Sequence, residues 1–264
     1  MRRERGFRGS LLRALERDEF FLEYLPTVDL VTGRCLGAEA LIRWNSPELG
    51  RMPPESFIRP AEQLDLMPQI TEWVMRRVGR DIERLLEADP TLRVSLNLAP
   101  EDILDPAFVD RAKRLLGAHI DHIEFELTER GSLHHPSEKI RARLADLRAL
   151  GAHISLDDFG VGNSNLAYLL HFEVDSLKID RVFLPDSRLP GIGTELIEAI
   201  ISIGKRLGIR LVAEGVEELE QADFLRARGI TAVQGFLFSR PLSIAAFVEF
   251  LAAKKALLGE QAAE

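Results

Sequence analysis

Asp157 and Asp158 stand side by side, directly after the apolar run Ile154-Ser155-Leu156 and directly before Phe159-Gly160-Val161-Gly162-Asn163. At the end of a buried strand such a pair is costly, because two bare carboxylates in a partly dry setting repel each other and lose hydration. One normally takes up a proton, or both bind a cation. Taken alone, the pair suits a solvated turn or a helix cap equally well. Its weight comes from other strand ends that carry similar groups: Glu39, Arg43 and Trp44; Asn97; Glu124, Glu126 and Glu129; Lys178 and Asp180; Glu214 and Glu217; and Gln234. Singly, each could be a hydrogen-bonded rim residue. Together they form an oxygen-rich set without histidine, which is the donor chemistry of Mg²⁺ or Mn²⁺ rather than zinc. Adjacent acids that bridge two such ions suit in-line displacement at phosphorus.

The elements that must position this set are readable from the spacing of apolar residues. Strands are predicted at Phe20 to Leu25, Cys35 to Trp44, Arg93 to Leu98, His122 to Leu127, His153 to Leu156, Ser176 to Ile179, Arg210 to Ala213 and Ala232 to Gly235. Helical patterns lie between them, near Pro54 to Leu64, Gln69 to Glu87, Pro106 to Leu116, Glu138 to Leu150, Ser164 to Leu170, Thr194 to Leu207 and Leu219 to Arg228. Gly117, Gly151, Gly208 and Gly229 each follow a helix pattern, where a left-handed residue ends the helix. Strands alternating with helices imply parallel pairing, and about eight such units fit an α/β barrel of the TIM (β/α)8 type. The first two strands are joined by Thr32-Gly33, which leaves no room for a helix. They are therefore expected to be antiparallel, a modification of the regular barrel. In such a barrel the chemistry sits at the C-terminal ends of the strands. Residues 1–264 read as a single domain, with a helix over 1–18 and a last helix over 243–264.

Composition narrows the functions further. The net charge of −8 argues against general nucleic-acid binding, which needs a basic face. The single cysteine, Cys35, excludes an internal disulfide and a thiolate metal cluster. It reads as a small apolar strand residue in a reducing, cytoplasmic setting. There is no apolar stretch of membrane-spanning length and no signal peptide. Three further features read as structural: His134 and His135 as solvated loop residues, Trp73 as core, and Lys254-Lys255 as an exposed charge pair. Phe236 and Phe238 are open between stacking on a base and packing under the last strand.

Several separated motifs then resemble one family. They are Glu39-Ala40-Leu41-Ile42-Arg43-Trp44, Asn97-Leu98, Glu126-Leu127-Thr128-Glu129, Asp157-Asp158-Phe159-Gly160, Leu177-Lys178-Ile179-Asp180-Arg181, Ala213-Glu214-Gly215-Val216-Glu217 and Gln234-Gly235-Phe236-Leu237-Phe238-Ser239-Arg240-Pro241. In this order they resemble the EAL domains, phosphodiesterases of the bacterial messenger cyclic di-GMP, from about Tyr24 to Phe247. The resemblance implies a modified TIM barrel with one antiparallel strand. It implies two Mg²⁺ or Mn²⁺ ions held by Glu39, Asn97, Glu126, Asp157 and Asp158, with Asp157 bridging. Lys178, Glu214 and Asp158 take the catalytic positions, with Glu214 as general base or as the acid that positions the metal-bound water, and Lys178 orienting the water and offsetting charge. Leu41, Arg43, Glu217, Gln234, Tyr24 and Pro26 are expected around the substrate, and Glu129 is expected to steady the loop after Asp158.

The chain departs from the family at Leu25, where a ligand-contacting Gln is common, and at Ser46, where a His is common. It departs again in the loop Val161-Gly162-Asn163-Ser164-Asn165. No departure falls on an expected metal ligand. The resulting expectation is metal-dependent hydrolysis of cyclic di-GMP to linear 5′-pGpG by a homodimer. An upstream sensor or transmembrane domain is expected beyond this chain, which would make it the cytoplasmic part of a membrane-anchored sensor. The alternative is a catalytically weak or silent cyclic di-GMP receptor, and a third reading takes another cyclic dinucleotide as substrate.

Overall fold

The computed structural model describes residues 2–128, 137–161, 166–185 and 192–261. Glu129, His134, His135 and residues 162–165 of the atypical loop lie outside the described residues, as do the side chains of Lys254 and Lys255. The strands are β1 (Phe20–Asp29), β2 (Cys35–Ser46), β3 (Gly50–Met52), β4 (Arg93–Leu98), β5 (Ile123–Thr128), β6 (His153–Asp157), β7 (Ser176–Ile179), β8 (Arg210–Ala213) and β9 (Ala232–Gln234). The helices are α1 (Arg2–Glu16), α2 (Pro54–Gln63), α3 (Met67–Ala88), α4 (Pro100–Leu104), α5 (Phe108–Leu116), α6 (Glu138–Ala149), α7 (Leu166–His171), α8 (Ile192–Leu207), α9 (Leu219–Ala227) and α10 (Ile244–Gln261).

The sheet runs β1-β9-β8-β7-β6-β5-β4-β2-β3, and a further β1–β2 pairing closes eight of these strands into a barrel. β1 runs antiparallel to both neighbours, β2 and β9, while the pairs from β2–β4 round to β8–β9 are parallel. The expected antiparallel departure is therefore β1. β3 is an added edge strand, with Trp44 opposite Met52 at the end of β2. It was not foreseen, because three residues that include a glycine carry no alternating pattern. α4 was missed for a similar reason: at five residues it is shorter than two helical turns.

The outer faces of the strands and the inner stripes of the helices form the core. In α3 the buried residues Met67, Ile70, Val74, Met75, Val78, Ile82 and Leu85 recur at the three- and four-residue spacing of one helix face. α3 meets α5 at Gly79, where an added Cβ would lie 2.3 Å from the Leu115 carbonyl oxygen. A glycine there is what allows the helices to approach so closely. Trp44 is fully buried beneath Phe7 of α1 and Phe57 of α2, with its indole N–H donated to Glu19 at 3.0 Å. Trp73 packs near Phe20 with ring centroids 5.8 Å apart and the rings tilted, in keeping with its core reading. Cys35 opens β2 as a buried residue. The four expected helix-ending glycines all have positive φ: Gly117 +57°, Gly151 +102°, Gly208 +68° and Gly229 +80°.

Candidate active site

Strand alternation points one residue in two into the barrel, and parallel register sets their heights. Asn97 pairs with Glu126, Glu39 lies opposite Ser95, and Thr128 lies opposite Asp157. The inward residues near the C-terminal ends are thus Glu39 of β2, Asn97 of β4, Glu126 of β5, Asp157 of β6 and Lys178 of β7. Glu214, directly after β8, and Gln234 of β9 complete the ring.

Lys178 is the hub. Its Nζ lies 2.5 Å from Glu214 Oε1, 2.7 Å from Glu126 Oε2, 3.3 Å from Glu39 Oε2 and 3.6 Å from Asp157 Oδ1. Lys178 is 3% exposed and Glu126 1%, so water screens these charges little. Two amides complete the shell of Glu39: Asn97 Nδ2 donates at 3.0 Å and Gln234 Nε2 at 2.5 Å. Thr27 Oγ1 in turn donates to Gln234 Oε1 at 3.2 Å. Gly235 lets the chain after β8 press against this corner, since a Cβ there would lie 2.1 Å from the Val216 carbonyl oxygen.

The balance of charge is uneven. Burial alone would raise the Glu39 carboxyl, but Lys178, Gln234 and Asn97 outweigh it and hold it below its usual range. Glu126 goes the other way. Burial, joined by the negative charges of Glu39, Asp157 and Glu214, overrides Lys178 and lifts it well above the usual range. Burial also lifts Glu214 to about 8, against Lys178 and with help from Asp157 and Glu39. Burial pulls the Lys178 ammonium down, yet the carboxylates of Asp157, Glu126, Glu214 and Glu39 raise it well above an ordinary lysine. One ammonium cannot neutralise this many acids, and the raised Glu126 and Glu214 mark where the surplus negative charge falls.

These residues fit a divalent cation. Asp157, Asp158 and Glu214 each offer an oxygen within 4.8 Å of the others. Glu214 Oε1 is buried and faces Lys178 Nζ, which it shares with three other carboxylates. Asn97 spends its amide nitrogen on Glu39, which leaves its oxygen for a cation. All these donors are hard oxygens. Asp158 is held at φ +53°, a conformation that costs a non-glycine residue about 1–3 kcal/mol. Its N–H donates to Asp157 Oδ1 at 3.0 Å, so the bend turns the two acids together. Phe159 N–H then ties the following turn to the Lys178 carbonyl at 3.2 Å.

Not every expected residue joins this ring. Tyr24 and Pro26 lie on the opposite face of β1, away from the rim. Tyr24 is fully buried against α10, with its hydroxyl donated to Asp81 of α3 at 2.8 Å. Counting two residues from Leu25 in either direction would have kept to the site face; Tyr24 and Pro26 have the wrong parity. Glu124 points inward but at the N-terminal end of β5, opposite Ser95, and pairs with Arg210 at 2.7 Å. It is therefore not a rim residue. Asp180 caps a short turn by accepting the Val182 N–H at 2.7 Å. Glu217 is exposed, 3.6 Å from Arg181. Leu25, Leu41 and Arg43 share the face of Glu39. Phe236 is 48% exposed under the Arg240 guanidinium, whereas Phe238 packs on the core. Sequence reading missed Thr27, Glu23 and Arg51; for Thr27 the signal was the alternation of β1 continuing past Pro26.

The EAL domain family matches residues 8–241. Cyclic di-GMP phosphodiesterase NbdA of Pseudomonas aeruginosa is 39% identical over 248 residues, covering 92% of this chain and 32% of the relative. Probable cyclic di-GMP phosphodiesterase PdeN of Escherichia coli K12 is 36% identical, covering 92% and 47%. The chain thus spans a third to a half of the length of these relatives. Among solved structures, the PaMucR phosphodiesterase complex with c-di-GMP superposes with TM-score 0.85 at 33% identity, covering 92% of this chain and 99% of that one. The EAL enzyme Bd1971 bound to cAMP and cyclic di-GMP gives TM-score 0.86 at 30% identity, covering 94% and 69%. A family match across nearly the whole barrel, joined to a rim that gathers the motif residues Glu39, Asn97, Glu126, Asp157, Lys178 and Glu214, means that this chain belongs to the EAL domain family.

Proposed function

We propose that the chain is a metal-dependent phosphodiesterase that opens cyclic di-GMP to linear 5′-pGpG. The observation that carries this reading is the excess of buried and half-buried carboxylates around Lys178, joined by Asp158 at the C-terminal mouth of a barrel. Glu39, Asn97, Glu126, Asp157 and Asp158 would hold two Mg²⁺ or Mn²⁺ ions. Bound there, such ions supply positive charge at the phosphoryl oxygens and make water acidic enough to attack near neutral pH.

The protein's own groups do the rest. Lys178, fixed by its carboxylates, faces the negative charge that builds on the phosphoryl oxygens as the ring opens. Because it is held in place beforehand, little reorganisation is needed at the moment of reaction. Glu214 accepts the proton of the attacking water. Arg43 and Leu41, on the same face as Glu39, take the substrate phosphate and pack beside it, while Glu217 and Gln234 line the rim. Glu129 would steady the loop after Asp158.

The named activities of NbdA, PdeN and PaMucR support this reading. A silent receptor would need no surplus of acids around Lys178, and nothing at the rim among the described residues favours it. Among the described residues no helix is long and apolar enough to cross a membrane. A cytoplasmic homodimer attached to a sensor segment is part of the same proposal. The test is purified protein with cyclic di-GMP and Mg²⁺ or Mn²⁺, with products resolved by chromatography. Conversion to 5′-pGpG that stops on chelation is expected. Tight binding of the dinucleotide without turnover would replace this reading with the receptor.

A further inference from the structure

The face of β1 and β2 that carries Glu39 continues upward beyond the carboxylate ring. Leu25 pairs with Glu39, Glu23 with Leu41 and Phe21 with Arg43, so these side chains share one face. The Asn45–Arg51 pairing brings Arg51 of β3 alongside. On this face Glu23 holds two arginines at once. Its Oε2 accepts from Arg43 Nε at 2.8 Å, and its Oε1 accepts from Arg51. Arg43 Nη1 is also committed, donating to the Ile42 carbonyl at 3.0 Å. The Glu23 and Arg43 side chains are 15% and 13% exposed, whereas Arg51 is 63% exposed and lies over the Phe21 ring at 5.6 Å.

This geometry has two consequences. With Nε and one Nη1 hydrogen occupied, Arg43 turns its remaining donors in one fixed direction. One carboxylate between two guanidiniums leaves a net positive charge, and it removes the repulsion that would otherwise drive Arg51 away. A cyclic dinucleotide carries two phosphates, and Arg43 serves one of them. We propose that Glu23 is a positioning residue that fixes Arg43 and recruits Arg51 as the cation for the second phosphate. The inference rests on the phosphodiesterase reading. It also explains how the rim can work with Leu25, two residues from Glu23, where no hydrogen bond is available.

The test compares a substrate with two phosphates and one with a single phosphate, cyclic di-GMP and bis(p-nitrophenyl) phosphate. Arg51→Ala should raise KM for cyclic di-GMP about tenfold, the scale of one charge-assisted hydrogen bond, with kcat within twofold. KM for the single-phosphate substrate should stay unchanged, which a merely structural role could not produce. Glu23→Gln keeps an acceptor but cannot hold two cations, and should raise KM for cyclic di-GMP about threefold. A fall in KM would mean that Glu23 only restrains positive charge, and would overturn its positioning role. Equal losses on both substrates, or unchanged KM in Arg51→Ala beside an active wild type, would overturn the role of Arg51. A wild type inactive on cyclic di-GMP overturns the underlying reading and this inference with it.

Discussion

At the N-terminal mouth of the barrel, Glu124 gives one oxygen to Arg210 at 2.7 Å and the other to the buried Ser176 hydroxyl. At the C-terminal mouth, one ammonium faces four carboxylates within 3.6 Å. Both clusters draw on inward residues of β5 and β7, and Glu124 and Glu126 are neighbours on one face of β5. The cavity beneath Lys178 adjoins both, because Gly37 and Ser95 are too small to fill the barrel as branched residues would. The difference is one of accounting. Below, an acid meets one base and one hydroxyl and is satisfied. Above, acids outnumber bases and their charge awaits a further cation. Buried polar groups are therefore weak evidence of function until their charges are summed.

The strongest way to break this comparison is at the upper mouth. Asp157→Asn removes the acid expected to lie between two cations, and turnover should fall below detection. Removing one of several like charges should leave the melting temperature of the metal-free protein unchanged or higher. Substantial residual turnover would sink the two-cation assignment. Glu214→Gln comes next: it keeps the shape and removes a proton acceptor, a change that costs about 10²–10⁴-fold in rate. Steady-state kinetics should show this in kcat, with KM within a few-fold. A loss confined to KM would make Glu214 a binding residue.

The lower mouth should behave in the opposite way. Glu124→Ala leaves the Ser176 hydroxyl buried and unpaired and Arg210 without its acid, at a cost of about 2–3 kcal/mol in stability. Denaturant unfolding should register the loss, while kcat/KM of the folded protein stays within about threefold. A large loss of activity without a loss of stability would show that the two mouths are not separate.

How much of this was legible beforehand follows from the same geometry. Strands β4, β7 and β8 were expected with the ends they have, because Val, Ile and Leu runs bounded by charged residues mark them. The antiparallel β1 followed from a loop too short for a helix. β1 was cut four residues early, at Leu25, because Pro26 reads as a strand breaker, although β1 continues to Asp29 through its pairings with β2 and β9. That error hid Thr27, which supports Gln234. Parity along β1 separates Leu25 from Tyr24 and Pro26, yet the motif Tyr24-Leu25-Pro26 invites treating all three alike. The height of a residue within its strand, which parts Glu124 from Glu126, depends on register between strands far apart in sequence. Glu23 and Arg51 meet only because β1 and β3 both lie against β2. No periodicity announces such a contact.

A third buried acid sharpens the comparison, since it has no acidic partner at either mouth. Asp102 is fully buried, accepting from Thr71 at 2.6 Å and from the Ala99 N–H at 3.2 Å. Burial lifts it to about 6 despite these bonds and Arg111. Its folded value lies above the unfolded one, so the folded protein holds the proton more tightly. The contribution to stability is complete below about pH 4 and is lost as pH rises through about 6, on the order of 3 kcal/mol. Asp102→Asn should flatten that part of the stability profile. An unchanged profile would assign the slope to the upper mouth instead.

The smallest effect belongs at Leu25, on the upper face between the carboxylate ring and Glu23. It is partly exposed there and lies opposite Glu39, and its side chain can only pack. Leu25→Gln adds a donor that points along the same face as Arg43, and a neutral hydrogen bond contributes about 0.5–1.5 kcal/mol. KM for cyclic di-GMP should fall by roughly two- to tenfold, with kcat little changed because no reacting atom is touched. The gain depends on what Glu23 already provides. If Glu23 and Arg51 carry the polar contact that this position lacks, Leu25→Gln should help more in the Arg51→Ala background than in the wild type. Two substitutions on unrelated parts of the ligand would instead add. Equal effects in both backgrounds would separate Leu25 from the arginine pair, and an unchanged KM in both would show that the ligand does not reach β1.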